Sequence, residues 1–291
     1  MFPLLESIKR HRRSKFVPDF IFKGVLHPID EFNSLNEGGN SDPYQDSDKI
    51  HRDHSSSVNK YVRDYTSAHH YDINKALLKI HKMHSDLESG GDKEYFDERR
   101  KHHRIENQDT YNTIEHLTSH INSQSKIRYP FYVYTAVKFD VAKDFLQNGN
   151  GVILKYHHPA FTSTSTRFDE TPMFAKNFIY TTGMVEDSPF TKLQCKGDVD
   201  ALLAVEENTK SGVNTLGISI SHILRIKIPN HGKAISVKMS SEHHDEDEIL
   251  IQRNLDINIH GHPEVILVHG HSRKFYFIWD AEYVGHTMMD V

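Results

Sequence analysis

Glu246 and Glu248 stand two residues apart, immediately ahead of the apolar run Ile249-Leu250-Ile251. In an extended backbone, residues two apart point to the same side, so both carboxylates would face one cleft. Such a pair can divide a reaction between its members. One carboxylate stabilises a cationic, sugar-like transition state while the other takes a proton from a nucleophile, as carboxylate pairs do in glycoside chemistry. The acidic run Asp245–Glu248 also reads as an ordinary solvated turn. The second chemistry-bearing stretch is Ala160-Phe161-Thr162-Ser163-Thr164-Ser165. Its small hydroxyls, presented from a strand, could face the carboxylates across the cleft, or could serve only to satisfy nearby backbone groups.

The elements that must position these residues divide the chain in two. Residues 1–50 combine a basic start, an apolar patch around Phe16–Leu26 and a polar, linker-like piece centred on Asn36-Glu37-Gly38-Gly39-Asn40, so this segment is expected to be poorly tied down. From residue 51 to 126 the period is helical. Val58, Tyr61, Val62 and Tyr65 form one stripe; Ile73, Leu77 and Ile80 form a second after Asp72, a good N-cap; Ile114, Leu117 and Ile121 form a third. Asp92–Glu106 is charged nearly all round and reads as a solvated helix or a loop.

Residues 127–291 are strand-rich. Phe131, Val133, Thr135, Val137 and Phe139 alternate along one strand, followed by a short helix capped by Asp140. Strands are predicted over 152–156 and 160–165, a helix over 169–179, and further strands over 222–228, 234–238, 248–251, 256–260, 265–269 and 275–279. The fold class predicted is α+β: an N-terminal helical region followed by a two-sheet β-sandwich.

Composition excludes several functions. A net charge of -5 argues against a nucleic-acid-coating surface; the local basic run Lys9-Arg10-His11-Arg12-Arg13 reads as a solvated tail, with contact to an anionic partner as the alternative. The chain has a single cysteine, Cys195, which permits no intrachain disulfide and points to a reducing compartment or a cysteine-independent fold. No apolar run is long enough to span a membrane and the N-terminus has no secretory leader pattern, so a cytoplasmic protein without membrane partners is expected. The 23 histidines fall in doublets such as His243-His244 and in two His-Gly-His pairs. Without a His-Glu-x-x-His helix or a cysteine pair they read as surface residues, and no metal site is expected.

Taken in order, Tyr132-Val133-Tyr134, Phe161-x-Ser163-Thr164-Ser165, the helix carrying Phe174 and Ala175, Leu224-Arg225-Ile226-Lys227-Ile228 and Glu246-Asp247-Glu248-Ile249-Leu250-Ile251-Gln252-Arg253 resemble the mono-ADP-ribosyltransferases with an Arg, Ser-Thr-Ser and Glu-x-Glu signature, a group that includes bacterial exotoxins and the enzymes of T4-like bacteriophages. Tyr65-Thr66 and Tyr71-Asp72-Ile73-Asn74-Lys75-Ala76-Leu77 resemble the pattern that precedes the family's first strand, and the resemblance spans about residues 58–260.

The resemblance implies that residues 51–291 form one ADP-ribosyltransferase-like domain that binds NAD as substrate and passes ADP-ribose to a protein, most often to an arginine, with a host-cell protein as one setting. It implies that Glu248 holds the nicotinamide ribose and stabilises the cation, that Glu246 prepares the acceptor, and that Ser163 buttresses Glu248 and lines the NAD site. Thr164 and Ser165 are then mainly structural within that site, Phe174 lies beside it, and His243 and His244 contact the protein target. The sequence departs from the signature at Thr135-Ala136, where the family has an arginine for the NAD phosphates. Threonine cannot offer a charged fork, so Arg128, Lys138 or Arg167 must substitute or the site is degenerate. Arg128 and Lys138 also read as plain strand-end surface charges. A binding module and an NAD glycohydrolase are the alternative functions.

Overall fold

The computed structural model of the protein describes residues 47–54, 60–124, 127–137, 153–168, 171, 178–180, 196–197, 218–241, 247–261, 263–267 and 274–287. Five α-helices come first among these: α1 (Ser47–His54), α2 (Lys60–Asp64), α3 (His70–Glu88), α4 (Lys93–Glu106) and α5 (Gln108–Ser123), with a π-helical turn at Tyr65–His69 between α2 and α3. The apolar stripes behave as their spacing predicts: Val62, Tyr65, Ile73, Leu77, Ile114, Leu117 and Ile121 are all buried. Asp72 lies in the first turn of α3 and does not cap it, because the π turn carries the helical path back to His70. The charged piece is a helix, α4, whose N-cap Asp92 accepts hydrogen bonds from the backbone of Glu94 at 2.9 Å and Tyr95 at 3.4 Å.

The strands are β1 (Phe131–Ala136), β2 (Leu154–His158), β3 (Thr162–Ser165), β4 (Phe178–Tyr180), β5 (Lys196–Gly197), β6 (Ile218–Ile228), β7 (Ala234–Ser236), β8 (Glu248–Ile251), β9 (Leu255–Ile259), β10 (Glu264–Leu267) and β11 (Lys274–His286). Where the sequence predicts two sheets, hydrogen bonds join these strands into one mixed sheet that forks. Its spine is the parallel pair of the two longest strands, β6 and β11, in register from Lys274↔Ser219 to Glu282↔Lys227. The first part of the spine is flanked by β4 on one side and by β10 and β5 on the other; the second part is flanked by β1, β3, β8 and β7 on one side and by β9 and β2 on the other. The helix predicted over 169–179 gives way at its end to β4, which pairs with β6 through Phe178↔Ile220 and Ile179↔Ser219.

Two apolar layers hold the sheet. One side carries a cluster of Phe131, Val133, Ile226, Ile249, Ile251, Ile257, Phe277 and Trp279. On the other side the helical stripes pack on Ala160, Phe161, Ile235, Val237 and Leu250. Each large apolar side chain so buried stabilises the fold by about 1.5–3 kcal/mol relative to leaving it exposed, enough for a handful of them to fix the helical layer on β3 and β8. No helix among the described residues is long and apolar enough to cross a membrane.

Candidate active site

β3 and β8 pair antiparallel with Ser165 opposite Glu248, Thr164 opposite Ile249 and Ser163 opposite Leu250. Paired residues share a face and alternate residues return to it, so Ser163, Ser165 and Glu248 lie on one face, the one that carries Leu250 and the helical layer. The row continues across the sheet: Ser165 is opposite Tyr134, Tyr134 opposite Arg225, and Arg225 opposite Asp280. Ser163 is exposed and Glu248 half-buried, which leaves a hydroxyl and a carboxylate accessible at the rim between sheet and helices.

Tyr65, at the start of the π turn, forms the floor of this rim. Its ring packs edge-on against Phe161 at 5.6 Å between centroids. Its phenol oxygen accepts a hydrogen bond from Asn74 Nδ2 at 3.1 Å and is also bonded to the Ser163 hydroxyl. Burial pushes the phenol up to about 12, with the Asn74 and Ser163 hydrogen bonds pulling it down and the nearby Glu248 charge pushing it up. Tyr65 therefore remains neutral. The sequence places Tyr65 on an apolar stripe and Asn74 in a helix, and neither position announces a role at Ser163; the detectable signal is a tyrosine at the last position of a stripe, where its hydroxyl can emerge from the layer.

Thr164 is buried and its Oγ1 donates to the Ile249 carbonyl at 2.7 Å, tying β3 to β8. Ser165 Oγ accepts from the Arg167 backbone amide at 3.0 Å, so it shapes the exit of the strand. Thr135 Oγ1 donates to the Ser163 carbonyl at 3.0 Å, which brings the end of β1, with Ala136, against the strand that carries Ser163. Arg128 does not join this group. It is exposed and precedes Phe131, and β1 alone separates Phe131 from Thr135 by roughly 13 Å at the usual rise per residue. Arg167 follows β3 directly and is half-buried beside the Ser165 and Glu248 row. Gln252 and Arg253, part of the sequence match, bond the helical layer: Gln252 Nε2 donates to the Thr118 carbonyl at 3.0 Å and Arg253 Nε to Thr118 Oγ1 at 3.1 Å, fastening the end of β8 to α5. Glu246, Phe174, Lys138, His243 and His244 lie outside the described residues.

Asp247, between the two glutamates, is a buried residue with φ of 46°, in the left-handed region that side chains other than Gly, Asn and Asp seldom adopt. Its carboxylate is paired with Lys238 Nζ, accepts from Ser47 Oγ at 2.5 Å and lies 3.9 Å from His51 Nε2. Burial alone would push this carboxyl up, but the Lys238 and Ser47 hydrogen bonds and the His51 and Lys238 charges hold it below the usual range. The sequence offers no hint of this knot, because a single acidic residue in an acidic turn looks solvated. Among the described residues no group of three or more His, Cys, Asp or Glu could hold a metal ion.

The ADP-ribosyltransferase exoenzyme family matches residues 41–282. The chain is similar in structure to the ADP-ribosyltransferase Vis of Vibrio splendidus in complex with the M6 inhibitor, at 17% identity over 92% of this chain and 90% of that one, with a TM-score of 0.45. It is similar to Plx2a, an ADP-ribosyltransferase toxin from Paenibacillus larvae, at 16% identity over 82% of this chain and 96% of that one, with a TM-score of 0.45. A third is the ADP-ribosylating toxin BECa of a C. perfringens binary enterotoxin with NADH, at 14% identity over 83% of this chain and 48% of that one, with a TM-score of 0.44. No curated protein matches the sequence.

Proposed function

Given that the chain belongs to the ADP-ribosyltransferase exoenzyme family and takes NAD as its substrate, we propose that it is a mono-ADP-ribosyltransferase that modifies arginine side chains of a host-cell cytoplasmic protein, with Glu248 as its catalytic carboxylate. The observation that carries this reading is the placement of Glu248 on one sheet face with Ser163, above a tyrosine whose hydroxyl Ser163 and Asn74 hold. In this reading the two arms of the forked sheet are the layers of a sandwich around the NAD cleft.

The chemistry asked of the site is departure of nicotinamide from ribose C1′, taking the bonding electron pair, while positive charge builds on the sugar. A carboxylate fixed among hydroxyls stabilises that charge best when it is already oriented, and a hydrogen bond from the ribose 2′-hydroxyl to Glu248 supplies the orientation. A guanidinium nitrogen of the acceptor arginine then bonds to C1′ and its proton passes to Glu246. Ser163 steadies Glu248, and Thr164 and Ser165 keep β3 in register. Thr135 holds the Ser163 carbonyl instead of a phosphate. Arg167, at the end of β3, takes the pyrophosphate in place of the arginine the family carries at Thr135, with Lys138 as the alternative cation.

The test is an assay with labelled NAD and a cell lysate, reading modified protein and free nicotinamide separately. Glu248→Gln should lower both by about a hundredfold or more, the loss seen when a principal electrostatic stabiliser is removed. Near-normal turnover in that variant overturns the assignment. Glu246→Gln should lose protein modification and keep NAD cleavage, since water needs less preparation than a protonated guanidinium. Mass-spectrometric mapping of the product to a side chain other than arginine overturns the acceptor. Nicotinamide release without modified protein identifies a glycohydrolase instead.

A further inference from the structure

The Glu-x-Glu turn is held by a segment that the transfer chemistry does not use. Asp247 sits immediately before Glu248, with its backbone in the left-handed region, and Glu248 opens β8 with its side chain on the Ser163 face. Four contacts fix this entry into the strand. The Asp247 carbonyl accepts from the Thr166 amide at 3.2 Å, the Glu248 carbonyl accepts from the Val237 amide at 3.1 Å, and the Asp247 carboxylate takes Lys238 from the β7 side and Ser47 Oγ from α1. α1 is itself clamped to the same strands. Ser47 Oγ lies 3.1 Å from Thr166 Oγ1, and the buried His51 places Nε2 3.2 Å from Thr166 Oγ1 and Nδ1 2.5 Å from Ser236 Oγ. One turn below, Ile50 is 1% exposed and belongs to the apolar core.

We propose that Asp247 is a positioning residue for Glu248, and that α1, through Ser47 and His51, is a strap that holds the catalytic turn in its working geometry. The inference rests on the assignment of Glu248 given above. A carboxylate that is buried and shared between a lysine and a serine from separate elements cannot be moved without breaking charge-assisted bonds, so the turn is stiff where solvated acidic turns are loose. Stiffness at this point matters for catalysis because a group misplaced by 1 Å costs on the order of a hundredfold in rate. It also explains why the middle residue of the motif is acidic here. Aspartate supplies both the tolerance for a positive φ and the charge that Lys238 requires.

Asp247→Asn keeps the size and the backbone tolerance and removes the charge. It should lower kcat for nicotinamide release about tenfold or more at saturating NAD, while KM for NAD stays within about twofold, the pattern of an interaction expressed in the transition state. Ser47→Ala combined with His51→Gln, on a helix distant in sequence, should lower kcat in the same direction. Lys238→Met and Asp247→Asn should be non-additive in kcat, since they remove one pair. A purely structural role would instead lower the melting temperature and leave kcat per folded molecule unchanged. If Asp247→Asn fails to fold, Lys238→Met and the α1 variant carry the same comparison. Wild-type kcat in the folded variants, or a change confined to KM, overturns the inference. Glu248→Gln measured beside them separates the two readings: if it retains turnover, the site assignment fails; if it is inactive while the strap variants are normal, only the strap fails.

Discussion

Two buried charge clusters occupy the same sheet and serve it differently. On the spine, Arg225 is 4% exposed and bonds Asp280 Oδ1 through Nε at 2.6 Å and Glu264 Oε2 through Nη1 at 3.1 Å. On the opposite face of β6, His222 accepts at Nδ1 from the Trp279 indole at 3.1 Å. Every one of these partners comes from β6, β10 or β11, so the bonds stay within the strands of the spine and the one beside it. The Asp247 knot draws instead on α1, the end of β3, the end of β7 and the start of β8. It adds α1, which no backbone ladder connects to the strands, to the β3–β8 and β7–β8 pairs, and it stands next to the half-buried Glu248. The contrast separates charge used to specify a fold from charge used to aim a side chain.

The comparison breaks if the spine cluster governs turnover. Arg225→Met leaves Glu264, 4% exposed, without its guanidinium, so it should destabilise the protein by about 3–5 kcal/mol in urea unfolding, with turnover per folded molecule nearly unchanged. Turnover falling in parallel with the knot variants would erase the distinction.

Acid sharpens the comparison. His222 is driven down to about 3 by burial, and the Trp279 indole, which can only donate, requires Nδ1 to stay unprotonated. The folded pKa lies below the unfolded value of 6.5, so the unfolded chain binds the extra proton and stability is lost as pH falls from 6.5 toward 3. The expected slope from this group is about 1.4 kcal/mol per pH unit. Asp247 also has a depressed folded pKa, but its unfolded value is 3.8, so its contribution is intact above that pH and lost only below it. His222 should therefore weaken the spine across a range in which the Asp247 carboxylate keeps its charge. Urea midpoints from pH 7 to 4 for the wild type and His222→Gln check this, with the variant's slope shallower by about 1.4 kcal/mol per unit.

The smallest effect belongs to Thr135. Thr135→Val removes the bond to the Ser163 carbonyl and should cost about 0.5–1.5 kcal/mol of stability with NAD affinity unchanged, read by unfolding and calorimetric titration. Loss of NAD affinity would mean that the hydroxyl touches the substrate.

Much of this was legible in the sequence where burial is one-sided. Glu248–Ile251 is a strand with the predicted bounds, and the three helical stripes face the sheet, because an amphipathic element shows its buried face as a period. Extent was less legible. β11 runs on from the predicted 275–279 to His286, through Asp280 and Glu282, which look like loop residues until Arg225 and Lys227 stand opposite them. β6 likewise begins at Ile218, ahead of the predicted 222. Charges neutralised by a strand distant in sequence carry no local signal. The same holds at the site: Ser163 and Glu248 were readable as a hydroxyl strand and an acidic pair, whereas Tyr65, Asn74 and the Asp247 knot depend on contacts between elements that only the fold creates. Arg128 precedes β1 whereas Thr135 lies near its other end, so closeness along the chain is distance in space.

The parallel spine also has a consequence for the order in which the molecule can be made. β11 is synthesised after the other described strands, and until it emerges, β6 lacks its parallel partner across nine paired positions from Ser219 to Lys227. A parallel partner cannot come from a nearby hairpin and must close a long loop before it is rewarded with hydrogen bonds. Ser163 and Glu248 are thus synthesised well before the strand that completes the sheet beneath them. A nascent chain that has emerged past Glu248 but not through β11 therefore holds both residues before the sheet that sets their register is complete.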